Sequence, residues 1–166
     1  MKYAIVYSSQ TGNTKMLAST IQETLKKEDC LYIGAPSEEA KTADVIFAGF
    51  WTDKGQCNEE MAEFLKAITH QKVFLFGTAG FGGSPAYFDQ IIGKVSSLLT
   101  SDAEVVGSYM CQGKMPMSVR ERYEKMKGKP GLPFDVDLMI KNFDLSLSHP
   151  DTQDLEDLKK AVQKFL

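Results

Sequence analysis

The most constraining feature of this chain is a regular switch between two hydrophobic periods. Tyr3–Tyr7, Cys30–Ile33, Val45–Phe50, Val73–Phe76 and Val105–Met110 are short apolar runs of the length of buried strands. Between most of them, apolar residues recur at helical spacing. The stripes are Leu17, Ile21 and Leu25; then Met61, Phe64, Leu65 and Ile68; then Phe88, Ile91, Ile92, Val95 and Leu99. Only Ser37–Thr42, between the second and third runs, is short and polar. Strands that are apolar throughout, alternating with amphipathic helices, indicate an α/β fold with a parallel sheet covered on both faces. The right-handed crossover rule leaves few topologies for such a chain.

Past Cys111 the rhythm changes. One more helix is needed to cover the last strand, and Leu155, Leu158, Val162 and Phe165 supply it after a start signal at Pro150 and Asp151. The stretch Gln112–Pro150 is surplus to that minimal plan. Within it, Val119, Tyr123 and Met126 predict a short helix, stopped by Gly128, Pro130 and Gly131; Val136, Met139, Ile140, Phe143 and Leu147 predict another. At 166 residues the expectation is one domain, 1–166, carrying 112–150 as a helical insertion.

Charge and cysteine content narrow the function classes. A net charge of -3 argues against a nucleic-acid binder held by phosphate contacts. No apolar stretch approaches the ~20 residues that span a bilayer. The N-terminal Met1–Tyr7 reads as a strand, without a cleavage site behind an apolar region, so a cytoplasmic location is expected. Cys30, Cys57 and Cys111 are odd in number and widely spaced, which fits free thiols in a reducing compartment. His70 and His149 fit no metal spacing and no nucleophile–base pattern, so neither a metal nor a catalytic residue is expected. Charge is uneven along the chain: Ser19–Leu65 is acidic on balance, while Gln112–Pro130 carries Lys114, Arg120, Arg122, Lys125, Lys127 and Lys129 against Glu121 and Glu124.

The chemistry-bearing segment is Ser8-Ser9-Gln10-Thr11-Gly12-Asn13-Thr14, between the first strand and the first helix. In a parallel sheet this is the carboxyl end of a strand, where ligands bind. A flexible glycine, several hydroxyls and a following helix N-terminus are the parts needed to hold a phosphate. The loop lacks the Gly-Lys-Ser/Thr of nucleotide-triphosphate loops and the GxGxxG of dinucleotide folds. It also has no lysine or arginine, so a phosphate there is held by hydrogen bonds and the helix dipole.

Ser9-Gln10-Thr11-Gly12-Asn13-Thr14 resembles the phosphate loop of the flavodoxin family, S/T-x-T-G-N-T, which holds the terminal phosphate of FMN. Two further loops match in order, and the resemblance covers Met1–Cys111 and, loosely, the final helix. It implies a doubly wound five-stranded parallel sheet, order 2-1-3-4-5, here with an added helical segment between strand five and the last helix. In the second loop, Phe50-Trp51-Thr52-Asp53, Trp51 stands where the family has an aromatic against the flavin. Thr52 replaces the glycine often found next, and a β-branched residue resists the positive φ of a flipping peptide. In the third, Gly77-Thr78-Ala79-Gly80-Phe81-Gly82-Gly83-Ser84-Pro85, with Thr78–Gly82 as the expected contacts, glycines allow close backbone approach to a flat ring. The family supplies backbone donors there and often a stacking aromatic, for which Phe81 and Tyr87 are both candidates.

The resemblance therefore implies an FMN-binding electron-transfer flavoprotein that serves a partner reductase. The segments Phe50–Gly55, Thr78–Ser84 and Cys111–Met126 are also similar to flavodoxin-like proteins that accompany bilirubin reductase in anaerobic gut bacteria, so the expected context is bilirubin reduction to urobilinogen. The alternative is a small FMN-dependent oxidoreductase acting directly on a tetrapyrrole or quinone, with Gln112–Pro150 shaping its pocket. Cys111–Met117, at the same sheet edge as the three loops, is either a rim of the flavin site or a loop packed under the surplus helices.

Overall fold

The structure, a computed structural model, describes residues 1–82 and 84–165; Gly83 of the glycine-rich loop lies outside the described residues. The strands are β1 (Tyr3–Tyr7), β2 (Cys30–Gly34), β3 (Val45–Asp53), β4 (Gln56–Cys57), β5 (Lys72–Ala79) and β6 (Glu104–Gln112). The helices are α1 (Asn13–Thr24), α2 (Glu59–Lys66), α3 (Pro85–Ser96), α4 (Met117–Met126), α5 (Val136–Ser146) and α6 (Thr152–Phe165). The parallel strands run in the order β2-β1-β3-β5-β6, with β4 antiparallel to the end of β3. Leaving out that two-residue ribbon, this is the doubly wound order expected from the sequence. The β2–β3 crossover is a 3-10 turn, Glu38–Thr42, that buries Ala40.

Alternate residues of each strand feed two cores. Ala4, Val6, Ile46, Ala48, Phe50, Val73 and Leu75 face α2 and α3, where Met61, Leu65, Ile91 and Val95 meet them. Tyr3, Ile5, Val45, Phe47, Phe74 and Phe76 face α1 and α6, where Leu17, Ile21, Leu158 and Val162 meet them. At the carboxyl end of the sheet the layers interlock through glycine. Gly49 pairs with Phe76, and Phe50 pairs with Gly77. A Cβ on Gly49 would stand 2.3 Å from the Phe76 ring, and one on Gly77 2.5 Å from the Phe50 ring. Large rings therefore fill the space that the neighbouring strand leaves empty, which fixes the height of the strand ends that carry the site.

Three strands run further than the sequence suggested, β6 by Cys111 and Gln112. Trp51, Thr52 and Asp53 continue β3 and pair with β4 through Thr52↔Cys57 and Asp53↔Gln56. The turn between them has positive φ at Lys54 (51°) and Gly55 (83°), which suits a tight hairpin. The expected loop is thus a β-ribbon, because Trp and Thr pair well in strands and Lys-Gly closes the turn. Gly77, Thr78 and Ala79 likewise extend β5 and do not open the third loop.

Helices α4 and α5 occupy the surplus stretch. α5 buries Val136, Ile140 and Phe143, while α4 buries nothing. α4 is held instead by Arg120, whose Nε donates to Asp144 Oδ1 at 2.9 Å and whose Nη1 donates to Glu124 Oε1 at 2.6 Å. Among the described residues no helix is long and apolar enough to cross a membrane.

Candidate functional site

Pairing of β1 with β3 and of β3 with β5 sets three strand ends side by side. The Ser8–Gly12 loop, the β3–β4 ribbon and the Gly80–Gly82 segment therefore share one edge. Ser8 N–H anchors the first loop on Gly49 O at 3.0 Å. Ser9 Oγ accepts from Gly12 N–H at 3.1 Å and Lys15 N–H at 3.4 Å, folding the loop back on itself. Gly12 takes φ 86°, where a side chain would be strained.

This start leaves α1 without ordinary satisfaction. Gly12 gives no side-chain cap, and the first turn has no acidic residue. Among the described residues the backbone N–H groups of Gln10, Thr11, Asn13 and Thr14 have no protein acceptor. Four free donors at the positive end of a helix are a receptor for an anion.

The side chains of the same motif turn elsewhere. Thr14 is fully buried; its Oγ1 donates to Phe50 O at 3.1 Å and lies 3.4 Å from Thr78 Oγ1. Thr11 Oγ1 and Asn13 Nδ2 both donate to Lys114 O, at 3.2 and 2.9 Å. Asn13 Oδ1 is buried with no hydrogen-bond partner. Gln10 is exposed.

Trp51 is half-buried on the ribbon, where its carbonyl accepts from Asn58 N–H at 3.2 Å. Thr52 Oγ1 donates to Thr78 O at 2.8 Å, tying the second strand end to the third; Asp53 is exposed. Thr78 and Ala79 are buried, Gly80 is half-buried, and Phe81 is 37% exposed. Gly82 lies against Gln112. Tyr87 is on α3 with Phe88, ring centroids 6.0 Å apart, as part of the core that α3 covers.

The Gly113–Pro116 segment after β6 crosses this edge and closes it. It packs Met115 against Gly80 and Gly113 against Asn13, and the cleft among Gln10, Trp51, Thr52, Thr78, Gly80 and Met115 holds about 60 Å³. Of the Cys111–Met117 segment, Gly113–Pro116 lines this cleft, while Cys111 is buried in the core and Gln112 bonds Asn142 of α5. The phosphate end fits FMN through its free donors. The ring end is narrower than the ~300–1,000 Å³ of typical ligand clefts. Its movable wall is Met115, unbranched and flexible. A larger groove of about 490 Å³, between α3 and β6, takes only Ser84 and Pro85 from the three loops read from the sequence.

Burial pushes the Cys111 thiol above its ordinary range, with Asp154 adding to the effect. Burial also raises Cys57, to about 11. His149, expected to be uninvolved, in fact organises the start of α6. Its Nδ1 lies 2.6 Å from Asp154 Oδ2, while Asp151 and Asp154 exchange backbone-to-carboxylate bonds at 2.8 Å. The backbone bond to Asp154 holds the Asp151 carboxyl below the usual carboxylate range. His149 O also accepts from Lys114 N–H at 3.0 Å, so this cap reaches the loop that closes the cleft. Neither that contact nor the role of Asn142, described below, leaves a signal in hydrophobic spacing.

Comparison with known proteins places this geometry. Residues 4–163 match the family model described as Flavodoxin domain. The chain is 38% identical to the flavodoxin-like domain-containing protein BilS of Clostridium symbiosum (strain WAL-14163), covering 100% of this chain and 94% of the relative. It is 33% identical to the protein of the same name from Clostridioides difficile (strain CD3), covering 100% and 97%. Among solved structures it is similar to oxidised Flavodoxin 2 from Bacillus cereus, with TM-score 0.62 and 20% identity over 99% of this chain and 97% of the other.

Proposed function

The chain belongs to the flavodoxin family, and from that premise we propose that it binds FMN at the carboxyl edge of its sheet and carries electrons to a partner reductase. The observation that carries this reading is the uncapped, acid-free start of α1 with its four free N–H donors. A phosphomonoester satisfies those donors and gains from the helix dipole, without any cation in the loop. Trp51 offers an apolar, aromatic wall that excludes water from one side of the ring site. Thr14 and Thr52 lash the three strand ends together, so the donors stay in place while charge on the ligand changes. FMN, when bound, supplies one- and two-electron chemistry that the surrounding groups tune.

The cleft's own residues favour a carrier over an enzyme. Among the described residues lining it there is no His, Cys, Asp or Glu to act as general acid or base. Lys114, its one charged side chain, joins the basic run of Gln112–Pro130. The similarity of Phe50–Gly55, Thr78–Ser84 and Cys111–Met126 to proteins that accompany bilirubin reductase supports that enzyme as the partner and bilirubin as the final acceptor.

An anaerobic assay with FMN-loaded protein, a chemical reductant and bilirubin tests the reading. Turnover that requires a bilirubin reductase as well as this protein supports the carrier role. Turnover by this protein alone contradicts it and favours the direct oxidoreductase.

A further inference from the structure

The Gly80 carbonyl accepts hydrogen bonds from two side-chain amides, Gln112 Nε2 at 2.9 Å and Asn142 Nδ2 at 3.0 Å. Gln112 Nε2 also donates to Asn142 Oδ1 at 3.1 Å, which closes the three groups into a ring of bonds. Gln112 ends β6, and Asn142 lies on α5, the helix of the surplus stretch. The preceding carbonyl is tied as well, since Ala79 O accepts from Gly113 N–H at 2.9 Å.

Two glycines make this grip possible. A Cβ on Gly80 would stand 2.4 Å from Met115 Sδ, and one on Gly82 2.7 Å from Gln112 Oε1. The loop is thus held on its carbonyl side by Gln112 and Asn142 and on its open side by Met115.

The C=O and N–H of a trans peptide point in opposite directions, and the Gly80–Phe81 peptide is trans. Gly80 lines the cleft, while Gln112 and Asn142 do not. With the Gly80 C=O turned to those amides, the N–H of the same peptide, that of Phe81, turns away from them. Among the described residues it has no protein acceptor. We propose that the Gln112–Asn142 amide pair is a positioning device that aims the Phe81 N–H into the cleft as a fixed donor to a carbonyl oxygen of the flavin ring. Helix α5 then governs flavin recognition without touching the ligand. This inference rests on the FMN reading above.

The pair is chemically specific. Asn142 must donate to Gly80 and accept from Gln112, which an amide does and a carboxylate cannot. Asn142→Asp keeps the shape and replaces the donor with an anion facing the Gly80 carbonyl. The test compares full-length wild type, Asn142→Asp and Gln112→Glu, the second variant serving if the first fails to fold. Readouts are FMN and riboflavin affinity, the midpoint potential of bound FMN, and the Phe81 amide resonance of the flavin-free protein.

The expected result is an affinity loss of about tenfold, equal for FMN and riboflavin, since one ring contact is lost and the phosphate is untouched. The potential shifts and the Phe81 amide resonance moves. A variant that binds both flavins like wild type with an unchanged potential overturns the proposal alone. A loss confined to FMN also overturns it, because it locates the defect at the phosphate. Wild-type protein that binds neither flavin overturns the FMN reading and the proposal together.

Discussion

Asn13 and Lys114 hold the two sides of the cleft together: Asn13 Nδ2 donates to the Lys114 carbonyl at 2.9 Å, across a sequence separation of 101 residues. The contact is tight, because a Cβ on Gly113 would stand 2.4 Å from Asn13 Nδ2. Gly113→Ala therefore forces Asn13 aside and is expected to cost about 1–3 kcal/mol, the usual range for overpacking. Urea unfolding measures it. Adding Asn13→Ala should recover part of the loss, because the side chain that clashes is then gone, and a double-mutant cycle reads that coupling.

Met115 against Gly80 narrows the ring end of the cleft. Met115→Ala removes the flexible wall and should tighten FMN binding or speed association, at little cost in stability because Met115 is only half-buried. Stopped-flow mixing with FMN checks this. Slower association with weaker binding would identify Met115 as a wall the ring needs.

Gly12 separates backbone strain from crowding. Nothing lies within 4 Å of a Cβ placed there, yet φ is 86°. Gly12→Ala should therefore destabilise by about 1 kcal/mol through strain alone. It should weaken FMN by distorting the free donors around it, with little change for riboflavin. Melting and paired titrations measure the two effects.

Alkaline pH should unfold the protein through groups that burial keeps protonated. Cys57 is raised from 9.0 to about 11 and Tyr3 from 10.0 to about 12. A raised folded value means that the stability is fully present below the unfolded value and is lost as pH climbs through the folded one. The Cys57 contribution is therefore intact to pH 9 and falls away between 9 and about 11; Tyr3 follows between 10 and about 12. Urea midpoints at pH 7, 9 and 10.5 should be flat across the first pair and fall at the third. In native protein at pH 8, an alkylating reagent should reach half-buried Cys30 before Cys57 or Cys111.

Hydrophobic spacing revealed the five parallel strands and all six helices, because most of them bury an apolar stripe; α4, which buries none, still carries Val119, Tyr123 and Met126 at helical spacing. It stopped short at the carboxyl ends of β3, β5 and β6. In the first two, Trp51–Asp53 and Gly77–Ala79 look like loop by composition, but Trp51 pairs with Thr78, Thr52 and Asp53 pair with β4, and Gly77–Ala79 pairs with β6. The phosphate loop was legible because its function needs particular residue types in one short run. The Asn142–Gly80 bond was not, since it joins residues 62 apart through a backbone carbonyl that any residue offers. His149 was opaque for a related reason: its partners, Asp154 and the Lys114 N–H, come from either side of a turn that no periodicity marks.

The assignment of the α1 N-terminus as a phosphate site is tested most directly by titrating purified flavin-free protein with FMN and, separately, with riboflavin. The expected result is one FMN per chain, with riboflavin at least tenfold weaker and inorganic phosphate competing with FMN, because the four free N–H donors recognise the phosphate. Equal affinity for FMN and riboflavin, or no binding of FMN at all, would contradict it.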